Sequence, residues 1–324
     1  MRPKVVRTDR AMEVLGSRLA ELEALAHVIT TPDDREETLI EAVTDADVLL
    51  VSGARITRAV FQAATRLRAL IKWGVGVDSL DIPAATELGI PIVHCPFYGP
   101  QSIADFSFAL LIALAKKLFL IDRDMHTKGW MFPEPLYLQI DLPGKTVGLV
   151  GLGRIGRVMA RRCQGFDMQV IAYDPYVGQT GETVDGVTFV PLNELMQRAD
   201  FVSLHAILTA ETEKLVGAEQ IGLMKPSAYL INTSRGAITD EAALFTALKE
   251  NKIAGAGLDV FAIEPNDLNN PFLSLENTIV APHLASYTPE AYDELDIDML
   301  NKVKAVLAGD PLWDVKNPEV FERK

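Results

Sequence analysis

The chain has 324 residues, enough for about two domains, and its 48% hydrophobic content suits a globular protein with a sizeable core. Thirty-one basic against 44 acidic residues leave a formal charge of −13, and the absence of any basic run argues against nucleic acid or an anionic membrane surface as a partner. Cys95 and Cys163 lie in separate predicted elements, form no CxxC and suggest no disulfide framework, which favours a reducing compartment, the cytoplasm.

In chain order, the N-terminal stretch MRPKVVRTDRAMEVLG lacks the continuous apolar core and small-residue cleavage site of a signal peptide. Apolar runs then alternate with helical patterns: KVVR with AMEVLGSRLAELEALA, DVLLV with RAVFQAAT, RALIKW with DIPAATELG, and IPIVH with the long stretch from Pro100. Strand-helix alternation predicts a parallel sheet covered on both faces. FSFALLIALA, 106 to 115, is far short of the roughly 20 residues that span a bilayer and reads as a buried interdomain helix. The Pro-rich FPEPLYLQIDLPGK, 132 to 145, reads as a connecting loop.

A second alternating series follows: TVGLVG, RIGRVMARRCQGF, MQVIAYD, FVSLH, AYLIN, TDEAALFTALKE, GAGLDV and NTIVAP. The helical stretch from Pro289 through Ala308 lies beyond it and is expected to return and cover the first domain. The predicted fold class is therefore α/β, with two doubly wound parallel-sheet domains. The expected boundaries near residues 99 and 287 join 1–99 with 287–324 in one domain and leave 100–286 as the other.

The sharpest motif is TVGLVGLGRIGRVMA, where Gly151, Gly153 and Gly156 form GxGxxG directly after a strand and at a helix start. The first glycine permits a tight turn, the second lets a pyrophosphate approach the backbone, and the third allows close helix-strand packing. Asp174 ends the next strand, where a carboxylate accepts ribose hydroxyls and repels a 2'-phosphate, so NAD is favoured over NADP. FAD and S-adenosylmethionine sites also use glycine-rich turns, but FAD sites usually begin near the N-terminus and methyltransferase turns seldom keep this spacing. Arg154 reads equally as a phosphate contact or a surface residue, and Arg161 and Arg162 as solvated helix positions.

Arg235 in NTSRG, Glu264 in LDVFAIEP and His283 in VAPHLAS each follow a predicted strand. Ligands of open α/β sheets collect at the carboxyl ends of strands, so the three can converge. Taken singly they are a solvated arginine, a turn glutamate and a surface histidine. Together they supply what hydride chemistry on a 2-keto acid needs: a cation for carboxylate and carbonyl, a proton donor that titrates near neutrality, and a carboxylate to orient that donor. His27, His94, His126 and His205 lack such neighbours, and no spacing suggests a metal.

The stretches GVGVDSLDIPAATELGIPI, GKTVGLVGLGRIGRVMA, LINTSRGAITDEAAL, GAGLDVFAIEP and APHLA, in this order along nearly the whole chain, resemble the D-isomer-specific 2-hydroxyacid dehydrogenase family. The resemblance implies a Rossmann NAD-binding domain inserted in a flavodoxin-like substrate domain, and a small 2-hydroxy or 2-keto acid as substrate. It implies Arg235 as substrate-binding arginine, His283 as acid/base and Glu264 as its carboxylate partner, with Val75 and Gly76 offering backbone amides to the substrate carboxylate. NAD contacts implied in the same way, besides the glycine turn, are Arg154, Ile155, Asp174, Thr212, Thr233, Ser234, Asp259, His283, Ala285 and Ser286. A homodimer is implied too, with the apolar helix from Ile103 to Leu120 as a contact.

Departures bear on the substrate. Val51 stands where many phosphoglycerate dehydrogenases of this family carry arginine, which disfavours a phosphorylated acid; Gly99, Asp105 and Ile207 also replace usual residues. A second reading is an NAD(H)-sensing interaction protein of the corepressor type, with little or no turnover, which resembles the same family.

Overall fold

A computed structural model describes residues 2–8 and 18–322; the expected helical residues 11–17 lie outside the described residues. The chain divides into two compact units, Met1–Gly99 with Tyr287–Lys324, and Pro100–Ser286.

In the first unit, strands β1 (Lys4–Arg7), β2 (His27–Thr30), β3 (Val48–Val51), β4 (Ala69–Lys72) and β5 (Ile92–His94) alternate with helices α1 (Leu19–Leu25), α2 (Glu36–Val43), α3 (Arg58–Ala63) and α4 (Ile82–Glu87). The sheet order among the described residues is β2-β1-β3-β4-β5, with all neighbours parallel. This is the doubly wound order 2-1-3-4-5. VLLV in β3 is buried along its whole length, as a central parallel strand covered on both faces requires. Strand β2, HVIT, and helix α2 escape the alternation pattern: the strand sits at the sheet edge, half-exposed, and too few apolar residues mark it.

The second unit begins with α5 (Pro100–Ala115) and α6 (Leu118–Lys128). They are two helices and not the single one expected from Ile103 to Leu120, because Lys117 adopts a left-handed φ of 49° between them. The apolar face of α5 is consumed inside this unit. Gly257 has no side chain, so Leu110 and Leu114 lie directly against its strand, and Ala104, Phe108 and Leu111 join the same core. Strands β6 (Thr146–Val150), β7 (Gln169–Tyr173), β8 (Thr183–Val184), β9 (Val187–Phe189), β10 (Phe201–Leu204), β11 (Tyr229–Asn232), β12 (Gly255–Leu258) and β13 (Thr278–Val280) are interleaved with α7 (Arg154–Gly165), α8 (Leu192–Arg198), α9 (Ala218–Leu223) and α10 (Glu241–Lys249). Their order is β13-β12-β11-β10-β6-β7-β9-β8, parallel except for the short β8-β9 hairpin that the sequence pattern did not mark. The order reverses between β6 and β10, which makes their carboxyl ends the switch point.

Helix α11 (Pro289–Ala308) returns to the first unit and buries Leu295, Met299, Leu300, Val303 and Val306 with Val5, Val48, Leu50 and Ile71. No helix among the described residues is long and apolar enough to cross a membrane.

Candidate active site

The glycine turn leaves β6 at the switch point. Gly151 has φ +96°, open to glycine at little cost, and a Cβ there would meet the backbone of His205 and Ala206 at the end of β10. Gly156 packs on the carbonyl of Gly151, where any side chain would collide. Gly153 differs: a Cβ there would touch nothing within 4 Å, and its φ is −71°. Protein packing therefore does not require glycine at 153, whereas a ligand pressed on the backbone does. Gly153 also caps α7 without a side-chain bond, leaving first-turn amides and the positive helix end for an anion. Asp174, at the end of β7, accepts the Leu152 amide at 2.8 Å and the Tyr176 amide at 3.0 Å, so it ties the turn to the adjacent strand. These residues fit a dinucleotide. Arg154 and Ile155 open the helix, exposed and half-buried respectively. Arg162 corrects the expectation of a solvated position, for it bonds Asp105 and the Gln101 side chain and pins α7 to α5.

At the carboxyl ends of β11, β12 and β13 the polar groups meet. After β11 the Asn232 side chain stitches the turn, accepting from the Ser234 amide and hydroxyl, each at 3.0 Å, and donating to the Arg235 carbonyl at 2.9 Å. Gly236 then lies flat on the next loop: a methyl group there would run into the backbone of Phe261 and Ala262. This approach brings the Arg235 turn against the 259–264 loop. Glu264 folds back to accept the Phe261 amide at 2.8 Å, and its other carboxylate oxygen lies 2.7 Å from Nδ1 of His283. Burial pushes the Glu264 carboxyl up, but the His283 bond and charge, the Phe261 amide and the Arg235 charge outweigh it and hold it below its ordinary value. The side chains of His283 and Glu264 keep 45% and 34% of their accessible surface, so a small molecule can reach the pair.

His283 sits at φ +56°, an unfavourable left-handed conformation for a side-chain-bearing residue. Asp259 holds it there. Its carbonyl accepts the His283 amide at 2.7 Å, and its fully buried carboxylate accepts the amides of Leu284 at 2.8 Å and Ala285 at 2.9 Å. Thr233 is buried, with its hydroxyl 2.7 Å from that of Ser107, while Thr212 closes the 207–212 loop by donating to the Ile207 carbonyl at 2.6 Å; Ser286 is half-buried. Asn232 and Gly236 were visible only as turn residues. The sequence carried no signal for the close approach at Gly236, since the backbone it meets, at Phe261 and Ala262, belongs to a different loop. Val75 and Gly76 lie in the first unit, half-buried, after β4. No cluster of three or more His, Cys, Asp or Glu side chains able to hold a metal occurs among the described residues.

A parallel α/β sheet with a dinucleotide turn at its switch point, and a His-Glu pair beside an arginine at the same strand ends, defines a nicotinamide-dependent oxidoreductase. The family description "D-isomer specific 2-hydroxyacid dehydrogenase, NAD binding domain" matches residues 108–285. A glyoxylate reductase from Korarchaeum cryptofilum is 38% identical over 99% of this chain and 98% of its own. A D-3-phosphoglycerate dehydrogenase from Methanocaldococcus jannaschii is 40% identical over 94% of this chain, which spans only 58% of that relative's length. The D-lactate dehydrogenase of Aquifex aeolicus, solved with NAD and lactic acid, superposes with a TM-score of 0.85 at 29% identity, covering 94% of this chain and 96% of its own. The chain belongs to the D-isomer specific 2-hydroxyacid dehydrogenases, and NAD is its cofactor. These relatives are all enzymes, which leaves the corepressor-type reading without support.

Proposed function

We propose that this chain interconverts a small, unphosphorylated 2-keto acid and its D-2-hydroxy acid, with Arg235, Glu264 and His283 at the reacting centre. The 2.7 Å bond between His283 and Glu264, beside the charge of Arg235, carries the reading. Gly151, Gly153, Gly156, Arg154, Ile155 and Asp174 would hold NAD(H), which would supply hydride to C2 or accept it in the reverse direction. Arg235 grips the keto acid and polarises its carbonyl, a task suited to a planar fork of donors. His283 gives a proton to the forming alkoxide oxygen, and Glu264, accepting from Nδ1, leaves Nε2 to deliver it and stabilises the imidazolium. In oxidation His283 takes the hydroxyl proton as hydride leaves C2. The Val75 and Gly76 amides hold the substrate carboxylate.

Val51, buried at the end of β3, supports an unphosphorylated substrate, since it offers no charge at the position where the family resemblance implies arginine in many phosphoglycerate dehydrogenases. A homodimer is part of the proposal. Trp130, Phe132 and Leu138 are 79%, 77% and 75% exposed on the segment between α6 and β6, a patch that favours burial against a second copy. The buried free thiols of Cys95 and Cys163 accord with a cytoplasmic protein. Replacing His283 with alanine is expected to lower keto-acid turnover by at least ~10²-fold while NADH binding stays nearly intact. Unchanged turnover in a stopped-flow NADH assay would remove His283 from the mechanism.

A further inference from the structure

We infer that His94 is a positioning residue that aims the Val75 and Gly76 amides at the substrate carboxylate, an inference resting on the carboxylate-binding reading above. The loop leaving β4 turns at Gly74, whose φ is +137°. Its next two carbonyls are pinned toward the end of β5: the Cys95 amide donates to Gly74 O at 3.0 Å, and Nδ1 of His94 lies 3.2 Å from Val75 O. A carbonyl oxygen only accepts, so Nδ1 carries the proton.

Both peptide bonds are trans, the Glu264-Pro265 bond being the cis one among the described residues. In a planar trans peptide, C=O and N–H point in opposite directions. Pinning Gly74 O inward therefore turns the Val75 N–H outward, and pinning Val75 O does the same for the Gly76 N–H. Neither amide donates to a protein group among the described residues, and both residues are half-buried. One of the two pins is a backbone amide that any residue except proline supplies. The other is the His94 side chain, 8% exposed, which a residue without a donor at that position cannot replace. Burial, then the nearby Lys316 charge, push its pKa down to about 4, against the pull of the Val75 carbonyl and Asp314 and with help from Lys302. The imidazole is thus a neutral, fixed-tautomer strut and not a second acid/base.

The test compares His94→Asn, whose Nδ2 occupies the place of Nδ1 and still donates, with His94→Leu, which does not. Glyoxylate and pyruvate serve as substrates and oxamate as a carboxylate probe on enzyme labelled with 15N-valine and 15N-glycine. His94→Leu should raise the keto-acid KM about tenfold with kcat and NADH affinity within about twofold, and His94→Asn should stay within about threefold of the native KM. Oxamate should shift the Val75 and Gly76 amide resonances in the native enzyme, and weakly or not at all in His94→Leu. An unaltered KM in His94→Leu, or equal losses of kcat and NADH affinity in both variants, overturns the inference. If oxamate moves the two amides equally in native enzyme and His94→Leu, only the role of His94 falls. If it moves neither in the native enzyme, the carboxylate-binding reading fails and the inference falls with it.

Discussion

Gly236 carries no functional group, yet it governs whether Arg235 reaches the His283-Glu264 pair, because the turn after β11 lies on the backbone of Phe261 and Ala262 with no room for a methyl. Gly153 presents the opposite case, with open space where its Cβ would be. The same glycine-to-alanine change should therefore have two different outcomes. Gly236→Ala should cost about 2 kcal/mol or more, since backbone on both sides leaves little room to yield, and turnover should fall with stability. Gly153→Ala should unfold at the native urea midpoint but bind NADH about tenfold more weakly, a loss of roughly 1.4 kcal/mol of pyrophosphate contact. Equal urea midpoints for the two variants would contradict the packing argument. The GxGxxG spacing was legible in sequence because a ligand demands it; Gly236 was not, because the backbone it meets lies in a different loop.

At the level of elements, the stretch following α11 completes the first sheet. Val315 bridges antiparallel to Val93, the His94 amide donates to the Asp314 carbonyl at 3.1 Å, and the Lys316 amide to the Ile92 carbonyl at 2.8 Å, so the edge of β5 is covered. Asn317 fastens it. Fully buried, it accepts the Ile92 amide at 2.8 Å and donates to Thr86 Oγ1 and the Ile90 carbonyl, each at 3.0 Å. Asn317→Ala would strand buried donors and acceptors, and a loss of about 2 to 3 kcal/mol in urea unfolding is expected, with kcat at 25 °C unchanged. A native midpoint would show that water replaces the amide. Nothing in the short segment DVKNP signals this role, since Asn before Pro ordinarily reads as a turn. The alternation of apolar runs and helices, in contrast, announced most of the central strands, because strands buried on both faces must be apolar throughout. Edge strands β2 and β8 escaped, having one side free to be polar.

For the molecule as a whole, acid is the condition that should weaken it. Desolvation of the His205 imidazole lowers its pKa from 6.5 to about 4, and burial does the same for His94. Both are neutral in the native state. Once unfolded they regain ordinary values, so between pH 6.5 and 4 the unfolded chain binds more protons and stability falls as pH falls, by up to a few kcal/mol for the pair. Urea midpoints measured from pH 7.5 to 4.5 should decline, and replacing His205 with glutamine should flatten the decline. A profile equally steep in that variant would show that other groups set the acid limit.

From sequence alone came the α/β class, the dinucleotide turn with its terminal Asp174, and the three residues worth weighing together, since each depends on local spacing or on chemistry inherent to a side chain. Tertiary structure alone decided which of them meet. The 2.7 Å His283-Glu264 bond joins residues on loops after different strands, and the left-handed backbone of His283 exists because the buried Asp259 carboxylate holds the amides that follow it. His94 shows the same limit, for its imidazole has a partner only because parallel pairing sets the end of β5 beside the loop leaving β4. Contacts of this kind depend on sheet register and loop approach, which no run of neighbouring residues encodes by itself.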